Sequence, residues 1–153
     1  MLHAKKKIYL DTSVISAYYD ARQPERMALT QDFWRNINQY EVCVSQIVVA
    51  EIDKWTGDEK HKLHQLIKDF FVLSVNAEEV SALARKYIDA NVIPQSEQVD
   101  ALHIAVASAH KVDCIVSWNF RHIVREKVRL GVNYINNLSG YGAIAILAPA
   151  ELL

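Results

Sequence analysis

Three acidic side chains in this sequence stand where a carboxylate needs a partner. Asp11 directly follows a β-rich run at residues 8–10, whereas Glu51 and Asp100 each lie among aliphatic residues. An acid buried in such surroundings requires a hydrogen-bonding partner, a bound cation or a raised pKa. Carboxylates that converge repel one another, and Mg²⁺ and Mn²⁺ neutralise them because both ions prefer oxygen ligands. Together, the three acids therefore indicate a candidate divalent-metal site.

Each acid also has a purely structural interpretation. Asp11 stands where a helix begins, so its carboxylate can act as an N-cap. Glu51 can lie on the solvated face of an amphipathic helix, and Asp100 can hydrogen-bond to His103, which shares its helix face three residues later. Taken singly, no acid decides between these readings, and only the set of three favours a site.

The elements that must position these acids follow from hydrophobic periodicity. Short β-branched runs alternate with helical stretches, a pattern typical of an α/β sandwich around a mainly parallel sheet. We predict strands at residues 8–10, 42–44, 70–75, 114–116 and 144–147. We predict helices at residues 24–40, 47–55, 58–69 and 76–91, with further helices beginning near residues 96 and 120. Ligands bind beyond the carboxyl ends of parallel strands, which is where Asp11 and Asn119 are expected to lie.

Composition narrows the class of protein. A length of 153 residues, with 51% hydrophobic and 23% charged, suits one soluble domain spanning residues 1–153. The longest apolar runs are too short to cross a bilayer, and the basic start leads into a strand rather than a signal core. The net charge of −1 argues against non-specific coating of nucleic acid. Cys43 and Cys114, each in an apolar strand-like run, predict buried free thiols and a cytoplasmic location.

Four short motifs occur in order along most of the chain. They are YLDTSVI at residues 9–15, VAEI at 49–52, DALHIA at 100–105 and SWNFRHI at 117–123. In order and spacing they resemble the PIN-domain family and, within it, the VapC-like ribonuclease toxins of prokaryotic toxin–antitoxin systems. Each motif alone is weakly specific, whereas four in order are strongly so. The resemblance implies a three-layer α/β/α sandwich with a central, mainly parallel sheet.

The resemblance also implies a divalent-metal-dependent endoribonuclease. In that interpretation Asp11, Glu51 and Asp100 hold Mg²⁺ or Mn²⁺, and Ser13 positions the attacking water or a ligand. Asn119 stands where many family members have Asp, and its amide carbonyl can still contact the metal shell or the phosphate. Because the amide carries no charge, the number of ions and the strength of catalysis stay open.

The same resemblance implies partners that the residues alone do not show. These are an RNA substrate, a small antitoxin protein that blocks the acidic site, and a second copy of the chain in a homodimer. Arg121 and Arg125, in a basic stretch beyond Asn119, are candidates for contacting the RNA backbone. A solvated helix face is the commoner role of such a charge run.

Three other functions compete with the nuclease. A catalytically degenerate PIN-like module would bind RNA or protein, with Asn119 as the trace of lost catalysis. A phosphoryl-transfer enzyme with Asp11 as nucleophile usually has a second acid two residues later, where this chain has Ser13. A zinc site at His61 and His64 lacks a third ligand at suitable spacing.

Overall fold

The computed structural model describes residues 4–153 and confirms the predicted α/β sandwich. The predicted domain range of 1–153 therefore includes three residues, Met1 to His3, that lie outside the described part. The sheet strands are β1 (Lys7–Leu10), β2 (Glu41–Ser45), β3 (Phe71–Leu73), β4 (Cys114–Val116) and β5 (Ala145–Leu147). All neighbouring strands are parallel, in the order β3-β2-β1-β4-β5.

Helices complete the layers on either side of this sheet. The α-helices are α1 (Thr12–Ala17), α2 (Pro24–Arg35), α3 (Gln46–Ile52), α4 (Gly57–Ile67), α5 (Glu78–Asp89), α6 (Gln98–Ala109) and α7 (Glu126–Leu138). Short 3₁₀ turns lie at Ile37–Gln39, Gln95–Glu97 and Pro149–Leu152. Ile8, Tyr9 and Leu10 are all buried, as expected for a central strand covered by helices on both faces. Helix α6 is buried over most of its length beyond Asp100, which explains its alanine-rich, aliphatic sequence there.

The order in which strands are added to the sheet reverses at β1. The chain proceeds from β1 through β2 to β3 on one side, then crosses to β4 and β5 on the other. The carboxyl ends of β1 and β4 therefore flank the topological switch point, where ligands bind in open parallel sheets. Leu10 and Val116, the last residues of these strands, are paired in register. The predicted position of Asp11 and Asn119 beyond this edge is thus consistent with the topology.

The helix predicted to begin near Phe120 begins instead at Glu126. The intervening residues form a turn, because the backbone carbonyl oxygen of Asn119 accepts hydrogen bonds from the backbone N–H groups of Ile123 at 3.1 Å and Val124 at 2.8 Å. Helical residues past Pro24 also end earlier than predicted, at Arg35. The other predicted strands and helices are present, with their ends shifted by a few residues.

Two further expectations concern the cysteines and the membrane. Cys43 and Cys114 are both buried and free, as predicted. No helix within residues 4–153 is long and apolar enough to cross a membrane.

Candidate functional site

Asp11 is a buried acid at the switch point of the sheet. Asp11 is only 4% exposed and lies one position beyond the end of β1. Its backbone N–H donates to the Val116 carbonyl at 3.2 Å. Although Asp11 precedes α1, its carboxylate makes no capping hydrogen bond to that helix. Asp11 thus occupies the N-cap position of α1, but the Val14 backbone N–H is only a minor influence on the pKa of its carboxyl.

Two serines donate hydrogen bonds to the Asp11 carboxylate. Ser13 Oγ donates to Oδ1 at 2.5 Å, and Ser117 Oγ donates to Oδ2 at 2.6 Å. Each serine oxygen in turn accepts a backbone N–H, from Trp118 at 2.9 Å and from Asn119 at 2.9 Å. Burial raises the pKa of Asp11, and the serine hydrogen bonds only partly counter it. The hydroxyls of Ser13 and Ser117 thus hold Asp11 directly, and the backbone N–H groups of Trp118 and Asn119 hold the two serines.

Glu51 projects from α3 and is held by one of its two oxygens. Thr12 Oγ1 donates to Oε1 at 2.7 Å, and His103 Nε2 donates to the same oxygen at 2.8 Å. Within residues 4–153, Oε2 takes part in no hydrogen bond. Burial acts to raise the pKa of Glu51, but the hydrogen bonds from His103 and Thr12 outweigh it, so this pKa lies below its usual value. Glu51 is therefore kept as a carboxylate with one oxygen free.

Asp100 lies at the start of α6 beside the side chain of Asn119. Asn119 Nδ2 donates to Oδ2 at 3.2 Å. Burial raises the pKa of Asp100, and the negative charges of Glu97 and Asp11 raise it further. The hydrogen bond that the sequence suggested between Asp100 and His103 is not formed, because the His103 ring nitrogens bond to other residues.

The orientation of the Asn119 amide is fixed by the backbone. The His122 N–H can only donate, and it lies 2.9 Å from Asn119 Oδ1, so that atom must be the carbonyl oxygen. The amide nitrogen is consequently the atom that faces Asp100. In this geometry Asn119 presents an N–H rather than an oxygen to the acidic site.

His103 is the common neighbour of the three predicted acids. Its imidazole contacts Glu51 directly, and in the protonated form it lowers the pKa of Asp11, Glu51 and Asp100 alike. The sequence placed His103 beside Asp100 through its spacing along the helix, but the fold brings it to an acid on α3 as well. His103 is thus bonded to one of the three acids and acts on the other two through space.

A second cluster adjoins this site and was not predicted. Glu97, Asp100 and His122 offer ligand atoms that all lie within 4.8 Å of one another. Within the described range 4–153 no other trio of acidic, histidine or cysteine side chains is as close, so the ligand atoms of Asp11, Glu51 and Asp100 do not all lie within 4.8 Å of one another. The spacing of Glu97 three residues before Asp100 was the available signal, whereas His122 reaches the cluster only through the turn at Asn119.

The three carboxylates fit a hard divalent cation. All offer oxygen ligands. Burial raises the pKa of Asp11 and Asp100 because it disfavours their charged forms, and a bound cation would offset that free-energy cost. Within residues 4–153, no lysine or arginine forms a salt bridge with any of the three. The free Oε2 of Glu51 is an available ligand atom.

The basic residues beyond Asn119 divide into two groups. Arg121 and Arg125 are exposed, and Arg125 donates to the Arg121 carbonyl at 3.2 Å. Arg129 instead turns towards the far edge of the sheet, where it donates to the Ile146 carbonyl at 2.9 Å and lies 3.6 Å from Glu151. The exposed pair therefore keeps its charge available to solvent.

We expect the metal-free protein to lose stability relative to Asp11→Asn as the pH rises. A carboxyl whose pKa is raised by folding binds more protons in the native state, so its contribution is fully present below about pH 3.9 and is lost as the pH rises through the folded pKa. Glu51, whose pKa is lowered, contributes in the opposite direction, and the comparison with Asp11→Asn cancels it. Urea unfolding in chelator at several pH values measures this difference, with a limiting slope of about 1.4 kcal/mol per pH unit. A difference that does not change with pH contradicts the expectation.

Comparison with known proteins supports the fold and the motifs. A model of the PIN domain matches residues 8–123. The structure is similar to a chain of FitAB bound to an IR36 DNA fragment, with a TM-score of 0.57 and 21% identity, covering 94% of this chain and 95% of that chain. It is also similar to a chain of VapBC2 from Rickettsia felis bound to a DNA fragment from their promoter, with a TM-score of 0.58 and 12% identity, covering 93% and 98%. A search of curated proteins finds no match.

Proposed function

This chain belongs to the PIN-domain family, and we propose that it is a divalent-metal-dependent endoribonuclease, the toxin of a toxin–antitoxin pair. The observation that carries the proposal is the placement of the three carboxylates beside the switch point of the sheet. Asp11 directly follows β1, Glu51 accepts a hydrogen bond from the adjacent Thr12, and Asp100 accepts one from Asn119 beyond β4. Relatives of the VapC-like kind, to which its motifs are similar, support RNA as the substrate. PIN domains are nucleases, and within residues 4–153 no lysine or arginine forms a salt bridge with the three acids. The carboxylates are therefore free to bind the metal that such a nuclease requires.

In this proposal Asp11, Glu51 and Asp100 hold Mg²⁺ or Mn²⁺. When bound, the cation supplies positive charge that polarises the phosphate and acidifies water. Ser13 and its partner Ser117 hold the Asp11 carboxylate in place. The reaction adds water across a phosphodiester: an oxygen of water forms a bond to phosphorus, and the leaving oxygen takes up a proton as its bond breaks. The chain's own contribution is to fix the acids before the substrate arrives.

Partners and location extend the proposal. Arg121 and Arg125, exposed just beyond Asn119, would contact the RNA backbone and make binding sensitive to salt. The resemblance to VapC-like proteins, and the similarity to chains of FitAB and VapBC2, support a cognate antitoxin as protein partner. A homodimer is implied by the same resemblance. The two buried free thiols support a cytoplasmic location, and we treat residues 1–153 as one PIN-like domain.

A degenerate binding module is the second candidate. It is favoured by one observation, the N–H that Asn119 presents to Asp100 where many relatives have a carboxylate. Such a module would bind RNA or protein without cleaving, and would gain no stability from metal.

The experiment that tests the proposal is cleavage of a mixed RNA substrate by the purified chain. We expect cleavage with Mn²⁺ or Mg²⁺, none with EDTA, and recovery when excess Mn²⁺ is restored. Mn²⁺ should also raise the melting temperature, because a ligand at 100 times its Kd stabilises the native state by about 2.7 kcal/mol. RNA binding without cleavage or metal stabilisation would establish the degenerate module, and cleavage in EDTA would contradict metal dependence.

A further inference from the structure

A chain of buried hydrogen bonds leads from the sheet to Glu51. Ser45 Oγ lies 2.8 Å from the Tyr9 hydroxyl, and that hydroxyl lies 2.6 Å from His103 Nδ1. The other ring nitrogen, Nε2, lies 2.8 Å from Glu51 Oε1. Ser45 and Tyr9 are 0% exposed and His103 is 3% exposed. The four residues come from β2, β1, α6 and α3, so the chain of bonds joins four separate elements.

Both nitrogens of the His103 ring are used, which fixes its orientation. A carboxylate has no proton to give, so Nε2 must donate to Glu51. Nδ1 is bonded to Tyr9, whose hydroxyl is held from the other side by Ser45. Rotation of the ring would leave buried polar atoms without partners, which buried groups rarely tolerate. The imidazole therefore presents its N–H to Glu51 in one direction only.

The bonds to Glu51 converge on a single oxygen. His103, on α6, and Thr12, on α1, both donate to Oε1. Within residues 4–153, Oε2 has no hydrogen bond. The Glu51 side chain is 30% exposed, so water could solvate it without any buried histidine. Orientation, rather than solvation, is what the buried chain of bonds adds.

We propose that His103, oriented by Tyr9 and Ser45, is a positioning residue that fixes Glu51 by Oε1 and leaves Oε2 as the oxygen available to the cation. The inference rests on the proposed function, because it assigns a role within that metal site. Outer hydrogen bonds of this kind set how well a ligand is presented to a metal, and their loss commonly weakens metal affinity 10- to 100-fold.

The hydroxyl of Tyr9 can be removed alone, and the chain offers a matched control. Tyr9→Phe keeps the buried ring and deletes only the atom that orients His103. Tyr87 is also 0% exposed, and its hydroxyl bonds to Ser108 at 3.3 Å and Asn136 at 2.5 Å, away from the acidic site. Tyr87→Phe thus deletes the same buried atom and the same number of side-chain bonds.

The measurement is Mn²⁺ affinity by titration calorimetry on the full chain, at a temperature where every variant is folded. We expect Tyr9→Phe to bind Mn²⁺ about 10-fold more weakly than the wild type, and Tyr87→Phe to stay within about twofold. His103→Gln, whose amide can replace the Nε2 donor, should retain more affinity than His103→Ala. In RNA cleavage at a fixed, sub-saturating Mn²⁺ concentration, kcat should fall in Tyr9→Phe while KM for RNA is kept, because the change affects the acid and not RNA binding.

Crystal structures of the same variants in chelator give a readout that needs no metal. We expect the Glu51 carboxylate to keep its position in Tyr87→Phe and to move in His103→Ala. If the wild type binds no Mn²⁺ but Glu51 moves as expected, the proposed function and the metal-presenting role of Glu51 both fail, and His103 is shown only to orient the Glu51 side chain. If the wild type binds Mn²⁺ and Tyr9→Phe binds it as tightly as Tyr87→Phe, the positioning role is overturned and the nuclease is not.

Discussion

Asp11→Asn is expected to lower the rate of RNA cleavage on the order of 1,000-fold without destabilising the metal-free protein. Asp11 lies at the switch point of the sheet, and its charge is one of three that would hold the cation. The amide has nearly the same shape but no charge, so it loses several kcal/mol of interaction with a divalent ion. The measurement is the initial rate of cleavage in Mn²⁺ for the variant and the wild type.

Stability should be preserved because burial opposes the Asp11 charge. The pKa of Asp11 is raised by that burial, so a neutral side chain removes a cost at neutral pH. The two serines can adapt to the amide, since one can accept its N–H and redirect its own hydroxyl proton. Ser13 Oγ and Ser117 Oγ are 3.4 Å apart, close enough for one hydroxyl to turn towards the other. Urea unfolding in chelator checks this expectation.

A matched variant separates the site from a general loss of negative charge. Asp89 ends α5 with a side chain that is 66% exposed, and it lies in no part of the proposed site. Asp89→Asn should cleave RNA at the wild-type rate. Cleavage by Asp11→Asn within about threefold of the wild type would exclude Asp11 from the reaction.

The sheet and the position of Asp11 were predictable because they depend on local pattern. Alternating apolar runs identify the strands, and an acid directly after a central parallel strand must lie at its carboxyl edge. The same reasoning missed the turn at Asn119. The backbone carbonyl oxygen of this residue accepts two backbone N–H groups, and the next helix begins only at Glu126. The turn is made by hydrogen bonds between backbone groups, and the pattern of apolar side chains gives no information about these.

The partners of His103 and of Asp100 were beyond the sequence for the same reason. Spacing along a helix suggested that the two bond to each other, because it reveals only neighbours on one element. The fold instead brings Glu51 from α3 to His103, and Asn119 from beyond β4 to Asp100. The four motifs predicted which residues gather, and the structure was needed to show which atom of each meets which.

Asn119→Asp is expected to destabilise the metal-free protein by about 1–3 kcal/mol and to increase the stabilisation that Mn²⁺ provides. The variant replaces the N–H that faces Asp100 Oδ2 at 3.2 Å with a carboxylate oxygen, so a hydrogen bond becomes a repulsion between like charges. The bond from the His122 N–H survives, because an aspartate oxygen accepts it equally well. A cation that reaches both carboxylates would reverse the penalty, and unfolding in chelator and in Mn²⁺ measures both effects.

Asn133→Asp is the control that assigns this reversal to the site. Asn133 Nδ2 donates to the carbonyls of Arg129 at 2.8 Å and Ile144 at 3.1 Å, so its loss also removes amide hydrogen bonds, but at the far edge of the sheet. Both variants should be less stable than the wild type in chelator, and only Asn119→Asp should recover with Mn²⁺ beyond the wild-type gain. Equal recovery would mean that a carboxylate at position 119 does not reach the cation. In that case Asn119 acts on the fold through its turn alone, and its neutral amide is no measure of how active the site is.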